Sequence, residues 1–177
     1  MIADDSRNMD KMTLWTIQDE RAVAYLQAHK FLKGDLRRVD PDFRYAYRWL
    51  MKQLGYRNAP VWFWCKKPDL RESGWAQKGS LQYLLTVYIF RERVTLTDFD
   101  LWHDILNHSY MAWDEADFDS YDYHWPEYKD LIEQSWRRLF AREKFDEDWI
   151  GKEAYWQGTA ERLYLHEVKS IRSFIAR

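Results

Sequence analysis

The sequence predicts an α+β fold: one compact domain built on a small mixed or antiparallel sheet, with about four main helices. Two patterns lead there. Segments in which apolar residues alternate with a period of two interleave with segments in which they recur every three or four residues. The later strand-like segments are separated by turns instead of helices, which argues against a regular βαβ arrangement. A chain of 177 residues suits a single domain. Residues 1–11 read as a flexible polar leader and residues 12–177 as the domain.

The first strand is Met12–Ile17, where β-branched and aromatic residues alternate, with Gln18 ending it. Asp19 then caps a helix carrying Ala22, Val23, Leu26 and Phe31 on one side, and Gly34 supplies a left-handed stop. A second helix opens at Asp40 with Pro41 in its first turn and ends at Gly55. Phe43, Ala46, Tyr47, Leu50 and Leu54 form its apolar face, and Arg44, Arg48 and Lys52 form a basic stripe on another side. Pro60–Lys66 is the next strand, with Trp62 and Trp64 on one face and Val61, Phe63 and Cys65 on the other.

Residues 67–79 form a polar loop long enough to carry function. Leu81–Phe90 is apolar on both faces, as a central strand would be. Arg91 and Glu92 turn the chain into a short strand, Arg93–Leu96. Thr97 caps the next helix, with Asp100 in a variant capping box and Leu101, Trp102, Ile105 and Leu106 buried. Residues 113–125 read as an acidic, aromatic loop. Pro126 starts a helix with Tyr128, Leu131, Ile132, Trp136, Leu139 and Phe140 on its apolar face. After a polar break at 143–148, two strands close the chain, Ala160–Leu165 and Val168–Phe174.

Aromatic residues make up 18 % of the chain, including eleven tryptophans, a composition opposite to that of disordered segments. The net charge of −2 provides no global field for nucleic acid. Charge is nevertheless uneven: residues 35–71 are rich in Arg and Lys, while 114–122 hold Asp114, Glu115, Asp117, Asp119 and Asp122. These segments read as solvated faces, with self-complementary contact or an anion site on the basic half as alternatives. Cys65 is the single cysteine, so disulfides within the chain and thiolate metal clusters are excluded. The polar start has no apolar signal core and no segment approaches the ~20 apolar residues of a membrane span. A cytoplasmic location is expected.

Several segments carry a resemblance. They are Leu14-Trp15-Thr16-Ile17-Gln18, Pro60-Val61-Trp62-Phe63-Trp64, Lys67-Pro68-Asp69-Leu70-Arg71, Leu96 to His103, Leu106-Asn107, Ser135-Trp136 with Phe140, and Trp156-Gln157 to Val168. Together they resemble a bacterial family of small Trp-rich proteins classified as a domain of unknown function, over nearly the whole chain past the leader. The family implies no activity. The succession of elements is also similar to the ADP-ribosyltransferase-like fold. That likeness implies NAD held in a cleft, with Glu161 as the acid/base residue and Thr16 and Gln18 where a nicotinamide ribose would lie.

The candidate binding residues are Thr16, Gln18, Trp62, Trp64 and Arg71. Trp62 and Trp64 either stack a base or nicotinamide or cover the sheet. Arg71 either forks onto a phosphate or carboxylate or pairs with Asp69 or Glu72. Glu161 is either catalytic or an exposed or paired carboxylate. Asp98, Asp100, His103 and Asp104 gather at a helix start, where capping accounts for them better than a metal. Cys65 reads as a small buried hydrophobe. The function expected is nucleotide-type ligand binding, with ADP-ribosyl transfer as the first reaction to test and NAD as its cofactor. The alternative is a non-catalytic interaction module or a homodimeric binding protein.

Overall fold

The computed structural model describes residues 10–177, so the first nine positions of the expected leader lie outside the described residues. Strand β1 (Lys11–Asp19) is longer than its alternating core predicts and takes in Gln18. Asp19 then caps helix α1 (Glu20–His29), accepting from the Ala22 amide at 2.7 Å. The helix stops earlier than Gly34 would place its end. Lys30 adopts the left-handed conformation with φ 68°. Phe31–Leu32 then forms strand β2.

Asp40 caps a 3₁₀ turn at Pro41–Phe43 that leads into α2 (Arg44–Leu54), and Gly55 ends it at φ 68°. Strand β3 (Val61–Trp64) is followed by β4 (Leu81–Phe90), which has the expected limits, and by β5 (Thr95–Asp98). The cap of α3 (Phe99–Leu106) falls on Asp98, one residue later than expected. Thr97 stays in the strand, fully buried. The segment read as an acidic loop contains α4 (Glu115–Ser120), capped by Asp114. Helix α5 (Lys129–Trp136) continues into a 3₁₀ turn at Arg137–Phe140, and α6 (Glu147–Ile150) is a single short turn capped by Asp146. Three strands finish the chain: β6 (Trp156–Ala160), β7 (Leu163–Tyr164) and β8 (Val168–Ile175).

The fold class is therefore α+β, with four helices of eight or more residues, α1, α2, α3 and α5. Six strands form one sheet in the order β5-β6-β3-β1-β4-β8, and β2 pairs with β7 separately. Pairing of β1 with β3 and β4, and of β4 with β8, is antiparallel. Among the described residues no helix is long and apolar enough to cross a membrane.

The described residues divide into two compact units. The first comprises the chain up to Leu32, Val61–Thr95 and Gly158–Arg177. Its β1 and β4 pair Leu14 with Val87 and Thr16 with Leu85, which places these four side chains on one face. All four are buried, as are Val61 and Phe63 of β3. The second unit comprises Lys33–Pro60 and Leu96–Gln157. Its interior is helical and aromatic, built from Ala46, Trp49, Leu50, Trp102, Ile105, Ile132, Trp136 and Leu139, all buried.

Gly34 has a different task from the helix stop expected of it. It bridges to Ala59, and a Cβ there would stand 2.5 Å from the Ala59 carbonyl oxygen and 2.8 Å from that of Pro60. Backbone cannot yield as a flexible side chain does. Gly34→Ala should therefore lower unfolding stability by about 1–3 kcal/mol. Urea unfolding measures this, and an unchanged midpoint would contradict the close approach.

Candidate functional site

The register of the first unit decides where its expected site residues fall. Trp15 lies directly opposite Trp64 in the antiparallel pair. Direct partners share a face and neighbours along a strand alternate. Trp62 and Trp64 thus lie on the face of Trp15, and Thr16 and Gln18 take the other. Burial agrees: Leu14, Thr16, Val61 and Phe63 are buried, whereas Trp15, Trp62 and Trp64 are half-buried. The Gln18 amide donates to the Thr16 hydroxyl at 2.8 Å. On the opposite face Trp64 meets Trp75 edge-on, with ring centroids 5.4 Å apart.

Trp75 belongs to the long loop and donates its indole N–H to the Asp69 carbonyl at 2.9 Å. Arg71 forks onto the Asp69 carboxylate through Nε at 2.9 Å and a terminal nitrogen at 2.6 Å. That guanidinium, with the Arg71 amide, holds the Asp69 carboxyl down at about 2. Of the two roles expected for Arg71, the ion pair is the one formed. Glu161 sits half-buried in the bend between β6 and β7 instead of on a strand. The buried carboxylate of this region is Glu167, which pairs with Arg93 and accepts from the Tyr164 amide at 2.8 Å. Thr16 and Gln18 thus lie on the opposite face of the sheet from the Trp pair, while Arg71 belongs to the loop that packs on Trp64.

A recess with convergent polar groups lies in the second unit. It is a groove of ≈ 500 Å³ between two helix faces. Tyr45, Arg48, Trp49, Lys52 and Gln53 come from α2, and Asp130, Glu133, Gln134 and Arg137 from α5 and the turn after it. The spacings are those of one helical stripe on each side. Arg48, Lys52 and Arg137 are exposed, and none makes an ion pair among the described residues. Arg44, expected in the same basic stripe, turns away and donates to the carbonyls of Val39 at 3.0 Å and Arg37 at 2.9 Å.

The two carboxylates of the groove are not equivalent. Glu133 accepts from the Tyr45 hydroxyl and lies 3.8 Å from the Lys129 ammonium. Burial, with the Glu133 contact, raises the Tyr45 phenol above its usual range. Asp130 remains, so the cations outnumber it. The Tyr45 ring is buttressed edge-on by Trp125 at 5.1 Å and by His108 at 5.7 Å. His108 stacks on Trp125 at 4.4 Å, and burial holds its imidazole below the usual value. Trp49 is braced by Trp136 at 5.5 Å and stacks on Phe140.

A second recess of ≈ 240 Å³ is lined by Asp98, Asp100, Asp104, Ala112 and Trp149 among others. Here Asp98 does what a cap should: it accepts from the Asp100 amide at 2.9 Å and pairs with Arg142 at 2.6 Å. Burial pushes Asp104 up to about 6, with His103 opposing and Asp100 and Asp98 adding repulsion. Among the described residues no group of three or more His, Cys, Asp and Glu side chains is placed to hold a metal ion. Cys65 is half-buried, and burial raises its thiol.

Fold and recess together define a small α+β protein with a cationic, aromatic-edged groove. The chain belongs to the family described as a domain of unknown function (DUF3841), whose model matches residues 13–164. No curated protein and no solved structure matches it.

Asp104 gives a pH signature. Its folded value, about 6, lies above the ordinary 3.8, so its contribution to stability is complete below 3.8 and is lost as pH rises through 6. Asp104→Asn removes that loss. The variant should be more stable than the parent at pH 7.5, by up to about 3 kcal/mol, with the gap closing towards pH 4. Urea unfolding at both pH values tests it, and a gap that widens at low pH would contradict the assignment.

Proposed function

We infer that the protein binds a small phosphate-bearing ligand of nucleotide type in the groove between α2 and α5. One observation carries this reading. Arg48, Lys52 and Arg137 line a recess with Tyr45 and Trp49 at its edge, and none of the three cations makes an ion pair among the described residues. A guanidinium forks onto phosphate oxygens, and a lysine adds a compact charge beside them. An aromatic edge supports a base, worth ~1–3 kcal/mol where it stacks. The volume falls within the roughly 300–1,000 Å³ of small-molecule sites.

The reading assigns binding and no reaction. ADP-ribosyl transfer, which the resemblance of the fold implies, would rest on Glu161 and is separable from groove binding. Trp64 meets Trp75 of the long loop edge-on.

Thermal melts with ADP, ADP-ribose, NAD and inorganic phosphate test the proposal. A ligand at a hundredfold excess over its dissociation constant stabilises by ~2.7 kcal/mol. For a chain of this size that is a rise of roughly 5–10 °C. The rise should vanish in the double variant Arg48→Glu/Arg137→Glu and persist in Glu161→Gln. Absence of a rise with every ligand would overturn the proposal. A rise retained by the double variant would place binding outside the groove.

A further inference from the structure

Strand β8 ends the six-stranded sheet, and its outer edge faces no other strand among the described residues. Lys169 to Ser173 are all exposed. The Ala176 amide donates to the Ser80 carbonyl at 3.0 Å. Antiparallel pairing alternates inward and outward main-chain groups, so those of Ile171, Ser173 and Ile175 point to the open edge.

The two faces of this edge differ in chemistry. Ile175 is paired with Leu81 and Ile171 with Leu85, so these side chains share one face. Three of them remain exposed: Leu81 by 42 %, Ile171 by 37 % and Ile175 by 58 %. Arg172 is paired with Leu84 and projects from the other face. The pairing shifts by one residue between Thr86 and Val87, and Lys169, at this bulge, joins Arg172 there with its ammonium 5.3 Å from the Tyr88 ring centroid. Neither cation makes an ion pair among the described residues. From Val168 to Arg177 the chain contains no Asp or Glu.

We propose that the β8 edge receives an extended segment of a partner protein as a seventh strand, one in which apolar residues alternate with acidic ones. The main chain of Ile171, Ser173 and Ile175 supplies the ladder. Alternate side chains of the guest meet Ile171 and Ile175 on one face and Lys169 and Arg172 on the other. A second copy of this strand is a poor guest. Antiparallel self-pairing brings Lys169 and Arg172 of both copies together with no carboxylate between them, and like charges across a pair are unfavourable. The same cations that blunt self-pairing leave the edge open to an oppositely charged strand.

The test uses fluorescein-labelled octapeptides of alternating Glu and Val, and of alternating Lys and Val, read by fluorescence anisotropy on the full chain. The Glu–Val peptide should bind at low salt and weaken as salt rises, and the Lys–Val peptide should bind at least tenfold more weakly. Ser173→Pro removes an outward amide and leaves the ladder to β4 intact, so it should cost at least tenfold. Lys169→Glu/Arg172→Glu should reverse the preference between the two peptides, a change that a merely destabilised variant does not produce. No binding by the parent, equal binding of both peptides, or an unreversed preference in Lys169→Glu/Arg172→Glu would each overturn the proposal. So would a concentration-dependent dimer in sedimentation that Ser173→Pro abolishes, since that assigns the edge to a second copy.

Discussion

Strand β1 is held on both sides, with Trp15 opposite Trp64 of β3 and opposite Thr86 of β4. Because side chains alternate with a period of two, these two pairings settle the face of every residue on three strands at once. A slip of one residue would drive Leu14, Thr16 and Phe63 out of the core and turn Trp15 and Trp64 into it. The slip is opposed by the burial of Leu14, Phe63, Leu85, Val87 and Ile89, each at 1 % exposure or less. A buried side chain of this kind contributes roughly 1.5–3 kcal/mol relative to leaving it in water. The register continues through β4 to β8 with one shift, between Thr86 and Val87. It fixes which side of the outer strand is apolar and which is basic.

The consequence for function is a separation of residues that look related in sequence. Thr16 and Gln18 adjoin Trp15 in the chain, yet they project away from the Trp62–Trp64 face. The aromatic face engages the long loop, where Trp75 packs on Trp64 and Arg71 closes on Asp69. In the second unit the organising period is helical. Stripes on α2 and α5 face one another, and a cluster of Tyr45, His108, Trp125 and Trp136 braces one wall. Such bracing fixes aromatic rings with little entropy left to lose on binding. It leaves the longer Arg48, Lys52 and Arg137 side chains as the adaptable part.

Much of this architecture was legible, and what was not has local causes. Leu81–Phe90 is apolar on both faces and bounded by polar residues, so β4 has the limits its pattern implies. Helix α1 ends early because Lys30 takes the left-handed conformation that glycine would normally supply, and no pattern announces that. The short helices α4 and α6 were invisible to periodicity. They bury no residue of their own and are held by the caps Asp114 and Asp146. The cap of α3 moved from Thr97 to Asp98 because Thr97 is drawn into the sheet, where the Gln157 amide reaches its hydroxyl at 3.4 Å. For the groove, the spacing of Arg48 and Lys52 showed a basic stripe. Nothing in the sequence showed that Arg137, far along the chain, would face it while its neighbour Arg138 turns inward to Asp117.

The tryptophans offer the most direct measurement of where a ligand sits. Each of the eleven indole N–H groups gives its own signal in a ¹⁵N-correlated NMR spectrum. Titration with ADP should move the Trp49 indole together with the amides of Arg48, Lys52 and Arg137, and leave the Trp62 and Trp64 indoles in place. Movement of Trp62 and Trp64 with α2 and α5 unperturbed would contradict the account and return the site to the sheet.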